Sequence, residues 1–210
     1  AITDKTKAII VVSLYGLVAD IDEINLIANR YNLPVIEDGA QSFGATCKGF
    51  KSGTLTTIGT TSFFPSKPLG CYGDGGAVFT NDDELANKIR AIKSHGGIKR
   101  FEHKYIGING RLDTIQASFL LAKLKKINYL IDQRRKAAKY YDKELSKIYK
   151  VVKIPYIKDN YFSVYAQYTI QVQKKRNQLI RFLKSNKIDV KVFYKPIYKN
   201  KAYKEKKNNK

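Results

Sequence analysis

From Ala8 the chain reads AIIVVSL, a short continuous apolar run of the kind shown by a parallel strand buried on both faces. Tyr15-Gly16 ends it in a turn. Asp20 opens a helical pattern in which Ile21, Ile24, Ile27 and Ala28 share a face and Asp20, Asp22 and Glu23 sit where the helix dipole favours acids. Asn32 closes this helix, and Leu33 to Ile36 is the next strand, which delivers Glu37-Asp38 at its C-terminal end. Strand, helix and strand make a βαβ unit. Gly49 to Gly53 reads as a loop or short hairpin, Ile58 to Phe64 as a strand, and Gly76 to Thr80 as another.

Asn81 or Asp82 caps a helix through Lys93, and residues 98–110 read as irregular and polar. A long helical stretch from Asp113 to about Tyr149 follows, with Ile115, Phe119, Ala122, Leu130 and Ala137 expected to pack and one bend or break expected along it. Tyr161 to Val172 alternates like a strand, Arg176 to Ser185 like an amphipathic helix, and Val190 to Tyr194 like a further strand. The tail from Lys199 is Lys and Asn with little apolar content, and is expected to be frayed or disordered. The pattern divides the chain into part of a large α/β domain (1–112), a long connecting helix region (113–150), a small α+β unit (151–198) and the polar tail (199–210).

In open α/β sheets ligands sit beyond the C-terminal ends of the strands, so Asp38 is well placed for chemistry. The following Gly39 to Ala45 suits a cofactor-lining turn, and equally an ordinary turn that caps a helix. Lys67 stands between Pro65 and Pro68, with Gly70, Gly73, Gly75 and Gly76 after it. A flexible amine thus emerges from a stiff, narrow turn, which is what a Schiff-base lysine needs; taken alone it reads more readily as a solvated lysine in a surface turn. A strand-end carboxylate (Asp38), a hydroxyl at the end of a later strand (Ser62) and this lysine are all explained by a pyridinium cofactor. The carboxylate keeps the ring nitrogen protonated, the hydroxyl holds a phosphate and the amine bonds the aldehyde. A P-loop is excluded, since no Gly-Lys-Ser/Thr ending follows, and the glycines do not spell GxGxxG after a strand.

Charge changes the picture less than its size suggests. The net charge is +21, yet residues 1–122 hold 13 Lys and Arg against 12 Asp and Glu, while residues 123–210 hold 26 against 6. The excess is mostly Lys on helix-like faces and comes with no nucleic-acid motif, so nucleic-acid binding is not expected. No window approaches the roughly 18 to 20 apolar residues of a membrane span, and no signal-peptide layout opens the chain; a cytoplasmic protein is expected. Cys47 and Cys71 read as unpaired thiols, and His95 and His103 do not have zinc-ligand spacing, so no metal is expected. With 210 residues, a start at Ala1 and no Met, the chain is expected to be a fragment or a processed product.

The segments VIEDGAQSFGA (35–45), GTTSFFPSKPLGCYGDGGAVFTNDDELA (59–86) and HGG followed by IGINGRLDTIQA (106–117) resemble the DegT/StrS-type sugar-nucleotide aminotransferases. These are fold-type I enzymes that use pyridoxal 5′-phosphate, and the resemblance covers nearly the whole chain in register. PSKPLGCYGDGGA and the SLYG turn (13–16) look most like the members that aminate position 3 of UDP-N-acetyl-3-oxo-glucuronic acid, with glutamate as donor, in surface-polysaccharide synthesis. The resemblance implies that Lys67 is the Schiff-base lysine, that Asp38 pairs with the ring nitrogen, that Gln41 lies by the ring hydroxyl and that Ser62 contacts the phosphate. It implies further that Asn109 reaches the phosphate of a neighbouring subunit's cofactor, that Arg111 touches substrate or the other subunit, and that the protein is a homodimer with shared sites.

Three departures stand out. Nothing before Ala8 matches the family's Gly-Thr/Ser phosphate turn and stacking aromatic; Leu17 replaces a usual Gln and Tyr198 a frequent His; and the C-terminus is expected to be short, ending in a polar Lys/Asn run. Two other readings remain at this point: a pyridoxal-dependent sugar dehydratase of the same family, in which a histidine replaces the lysine, and a non-catalytic basic binding module.

Overall fold

The computed structural model describes residues 1–194, 196 and 199–201. Tyr198 and most of the polar tail lie outside the described residues. Strands β1 (Ile9–Val12), β2 (Val35–Asp38), β5 (Ile58–Ser62) and β6 (Gly76–Phe79) form one sheet in the order β1-β2-β5-β6. The first three are parallel and β6 joins the edge antiparallel, so the expected mainly parallel sheet carries one reversed strand. Helix α1 (Ile21–Arg30) makes the β1–β2 crossover. Between β2 and β5 lies a small hairpin of β3 (Thr46–Cys47) and β4 (Phe50–Lys51). Its two-residue turn, Lys48-Gly49, has positive φ at both positions, the backbone twist that tight hairpins favour.

Helix α2 (Asp83–Lys93) follows β6, and Asp82 caps it by accepting a 2.9 Å bond from Leu85 N. The stretch after it is not wholly irregular, since β7 (Gly97–Lys99) and β8 (Glu102–His103) pair antiparallel. The long helical stretch breaks once, at Lys125-Lys126, into α3 (Thr114–Leu124) and α4 (Ile127–Leu145). Its inward face differs from the one expected. Leu120, Ile131 and Ala138 are buried, whereas Ile115, Phe119, Ala122, Leu130 and Ala137 are exposed. Helix α3 is apolar nearly all round, so periodicity alone does not select its buried stripe.

Beyond α4, β9 (Val152–Lys153) pairs with β11 (Gln171–Val172), and β10 (Tyr161–Phe162) pairs with β3. Tyr161 to Val172 is therefore not one strand. After β10 the chain turns inward: Ser163 Oγ and Val164 N both donate to Gly16 O, and Tyr165 takes a positive φ. Helix α5 (Arg176–Ser185) forms as expected, but Val190 to Tyr194 is not a strand and holds to the molecule through hydrogen bonds described below.

Two apolar clusters fix this arrangement. Val18, Ile21, Ala45, Cys47, Ile131 and Val164 pack together, and Phe63, Leu69, Cys71 and Leu120 form a second group; Ile127 touches both. Both cysteines are free and buried. The β1 strand is not covered on both sides, because Ile10 is 68% and Val12 46% exposed on the face opposite Val11. Among the described residues no helix is long and apolar enough to cross a membrane.

Ile21 and Ile27 share helix α1, yet Ile21 is fully buried and Ile27 is 44% exposed. Ile21→Ala is expected to cost about 2–5 kcal/mol in urea unfolding, and Ile27→Ala less than half as much. Equal losses would mean that the helix face has been misassigned.

Candidate active site

The parallel strands end at one edge of the sheet, and the sequence places polar groups there. In β2, Asp38 pairs with Val12 of β1 and Thr60 of β5, so its side chain shares their face; Ser62, two residues along β5, shares it too. Asp38 Oδ1 accepts a 3.0 Å bond from Ala40 N, which aims the carboxylate and leaves its other oxygen available. Ser62 Oγ accepts from Phe64 N at 3.2 Å and keeps its own hydrogen to donate. A carboxylate and a hydroxyl thus converge at the sheet edge that β5 leaves to enter the lysine turn.

That turn is held from inside. Lys67 N donates to Phe64 O at 2.9 Å, Cys71 N to Phe63 O at 2.8 Å, and Phe63 N to Gly75 O at 2.8 Å. Gly70 is needed for closure, because a Cβ there would stand 2.5 Å from Pro65 O. Cys71 Sγ lies 3.0 Å from Phe63 O and 3.1 Å from Gly73 O. Lys67 itself is half-buried, with its neighbours Pro68, Leu69 and Gly70 fully so.

Helix α3 braces the same turn from outside. Lys123 Nζ donates to Gly70 O at 2.6 Å and lies 4.4 Å from the centre of the Tyr72 ring, while Tyr72 N donates to Gln116 Oε1 at 2.8 Å. Phe119 meets Tyr72 edge-on at 4.8 Å. Of these three helix residues the sequence marked only Phe119, as a packing residue; Gln116 and Lys123 did not stand out, and the helical spacing i, i+3 and i+7 is the one signal the three share.

Gln41 is 7% exposed and held at both ends of its amide: Tyr15 N donates to its Oε1, and its Nε2 donates to the Tyr194 hydroxyl, both at 2.8 Å. The Tyr15 hydroxyl donates to Phe193 O at 3.0 Å, and burial together with the nearby Tyr194 raises its pKa. The segment around Phe193 and Tyr194 therefore lies across the Gln41 turn, a contact spanning 153 positions that no local pattern signals. Asn109 and Arg111 sit elsewhere. Both are exposed on the loop before α3, where Asn109 bridges to Ser94 and accepts from Arg111 Nε at 3.2 Å; neither hydrogen-bonds to Asp38, Gln41, Ser62 or Lys67. Leu112, next to them, packs into the cluster beneath the lysine turn.

A carboxylate, a phosphate-competent hydroxyl and an amine at the strand ends form a donor set suited to a pyridine ring bearing an aldehyde and a phosphate. The comparison with known proteins agrees with this chemistry. The model of the DegT/DnrJ/EryC1/StrS aminotransferase family matches residues 1–210. The chain belongs to this family. It is 53% identical over 201 residues, 96% of its length, to the UDP-2-acetamido-2-deoxy-3-oxo-D-glucuronate aminotransferase of Pseudomonas aeruginosa, and covers 55% of that protein. Among solved structures, a family aminotransferase from Brucella abortus superposes with a TM-score of 0.89 at 43% identity, covering 94% of this chain and 52% of that one. DesV of S. venezuelae, in complex with a ketimine intermediate, gives 0.92 at 33% identity, covering 96% and 54%. The chain spans about half the length of the relatives it matches, and its fold is the fold-type I arrangement of these family aminotransferases.

The brace from α3 yields a test. Lys123→Met removes a charge-assisted bond to a buried carbonyl and is expected to cost about 1–3 kcal/mol, with faster amide exchange at Lys67 and Cys71. Unchanged exchange at those two amides would show that the turn stands without the helix.

Proposed function

We propose that the protein is a pyridoxal 5′-phosphate-dependent aminotransferase that transfers an amino group from glutamate to position 3 of a UDP-linked 3-oxo sugar, the N-acetyl-glucuronate derivative, for surface-polysaccharide synthesis. The observation that carries this reading is that Asp38 and Ser62 share one face at the ends of adjacent parallel strands while β5 runs straight into the braced Lys67 turn. The 53% identity to a 3-oxo-glucuronate aminotransferase supports the choice of sugar. When bound, the cofactor supplies an aldehyde that takes up amines and a ring that draws electrons from the attached carbon.

The chain's own groups have separate tasks. Asp38 holds a proton at the ring nitrogen, which a carboxylate aimed by a single backbone bond can do. Ser62 donates its free hydrogen to the phosphate. Lys67 Nζ is the group that would hold the cofactor's aldehyde, and once freed it would move the proton, taking one from the amine-bearing carbon of the donor and giving one to the sugar carbon. Gln41, held between Tyr15 and Tyr194, presents its amide beside the ring hydroxyl. In this reading the exposed Asn109 and Arg111 serve a second copy of the chain, and the apolar surface of α3 at Ile115, Phe119, Leu121 and Leu124 supports a homodimer there, since such side chains gain by burial. The setting proposed is the cytoplasm. Lys67 also speaks against the dehydratase reading, which calls for histidine at that position.

The test is a visible absorbance spectrum with pyridoxal phosphate, together with release of 2-oxoglutarate from glutamate in the presence of the 3-oxo sugar nucleotide. Wild-type protein is expected to show a new band that Lys67→Ala lacks. Lys67→Ala and Asp38→Asn are expected to slow turnover by about 10²- to 10⁴-fold. A band that survives Lys67→Ala would contradict the assignment.

A further inference from the structure

Glu37 precedes Asp38 in β2 and points to the other face of the sheet, because side chains alternate along a strand. It is fully buried, as are Ser13 and Ser42. A carboxylate without partners at such a depth is costly, so its neighbours have to supply hydrogen bonds. Three reach it: Ser13 Oγ donates to Oε1 at 2.6 Å, Ser52 Oγ donates to Oε1 at 2.6 Å, and Gly53 N donates to Oε2 at 2.7 Å.

The direction of each hydrogen follows. Ser52 spends its hydrogen on Glu37, so in the 2.6 Å contact between Ser42 and Ser52 the donor is Ser42. Ser13 spends its own on Glu37 and accepts from Ala19 N at 3.3 Å. The hydroxyls of Ser13 and Ser52 both point at the carboxylate, which acts purely as acceptor, and that of Ser42 points at Ser52. The approach of Gly53 depends on Gly59, which lies beside Glu37 in β5: a Cβ on Gly59 would stand 2.0 Å from Gly53 O.

The donors to the carboxylate come from two separate places, and a third element holds the Glu37 backbone. Ser13 ends β1, and its N also donates to Asp38 O at 3.0 Å. Ser52 and Gly53 follow the β3–β4 hairpin, and through Ser42 they hold the turn that carries Gln41. On the other side of the strand, Thr60 Oγ1 donates to Glu37 O at 3.1 Å and Gly39 N donates to Thr60 O at 2.9 Å. The backbone on both sides of Asp38 is therefore tied down.

We propose that Glu37 is a positioning residue: its buried carboxylate clamps the end of β1, the loop after the hairpin and the Gln41 turn onto β2, so that Asp38 and Gln41 are presented to the ligand face in a single arrangement. Glu37 touches no ligand, and it acts through the backbone of Asp38 and through Ser52 and Ser42. The consequence for the cofactor rests on the function proposed above; the clamp itself does not.

The test uses Glu37→Gln and Ser52→Ala in the full-length protein, with Val152→Ala as a control for destabilisation remote from the site. Glu37→Gln sets an amide hydrogen against the existing donors, and Ser52→Ala removes one of the three donors to the carboxylate and with it the branch to Ser42. Hydrogen exchange at Ser13, Gly39, Ala40 and Ser42 is expected to quicken in both variants relative to the control. Pyridoxal phosphate binding is expected to weaken by about 10- to 100-fold in Glu37→Gln, with an altered visible band, while the control binds as wild type does. Wild-type exchange at those amides in Ser52→Ala, or wild-type cofactor affinity and band in a folded Glu37→Gln, would overturn the proposal. If wild type itself forms no cofactor band, the proposed function fails, and the exchange data still decide whether the clamp exists.

Discussion

The period-two alternation of β2 sets two adjacent carboxylates to opposite uses. Glu37 is turned into the protein and saturated with donors, while Asp38 is turned to the face that shares Thr60 and Ser62. A slip of one residue in this strand would place a lone acid among hydroxyls arranged for another and remove the carboxylate from the ligand face. The parallel register with β1 and β5 is thus both the fold's frame and the site's alignment. Each element that touches β2 contributes to it: Ser13 from one neighbour, Thr60 and the bare backbone of Gly59 from the other.

The second half of the proposed site depends on packing between elements far apart in sequence. The Lys67 turn closes on its own backbone, and α3 then fixes its outer rim through Gln116, Phe119 and Lys123. Beneath it, Leu120 joins Phe63, Leu69 and Cys71 in one apolar cluster, and Ile127 connects that cluster to the one under α1 and the hairpin. The break between α3 and α4 lets one helix serve the lysine turn and the next serve the core around Val164. The positive charge of the second half is largely separate from this, although Lys123 reaches the lysine turn and Arg135 donates to Ser163 O at 2.9 Å beside the other cluster.

Local pattern carried much of this. The βαβ start, the cap at Asp82, the break in the long helix and the placing of Asp38, Ser62 and Lys67 at strand ends all follow from apolar periodicity, turn residues and the rule that parallel strands present ligands at their C-terminal ends. Where the reading failed, tertiary context had decided. Helix α3 is apolar nearly all round, so Leu120 rather than Phe119 is buried for reasons that lie in the lysine turn. Tyr161 to Val172 alternates like a strand, but the carbonyl of Gly16 captures Ser163 and Val164 and bends the chain inward. Ile10 and Val12 look like core and are exposed. Gln41's partners, Tyr15 and Tyr194, come from opposite ends of the chain, and Glu37's role is set by donors at positions 13, 52 and 53, so neither could be read from neighbouring residues.

Lys67 is proposed as the one reactive amine among many lysines, and peptide mapping after borohydride reduction in the presence of pyridoxal phosphate puts this to the test. A stable pyridoxyl adduct is expected on the peptide containing Lys67 at near-stoichiometric yield, with the lysines of residues 123–210 labelled only in trace amounts. Labelling spread over those surface lysines, with Lys67 unmodified, would contradict it.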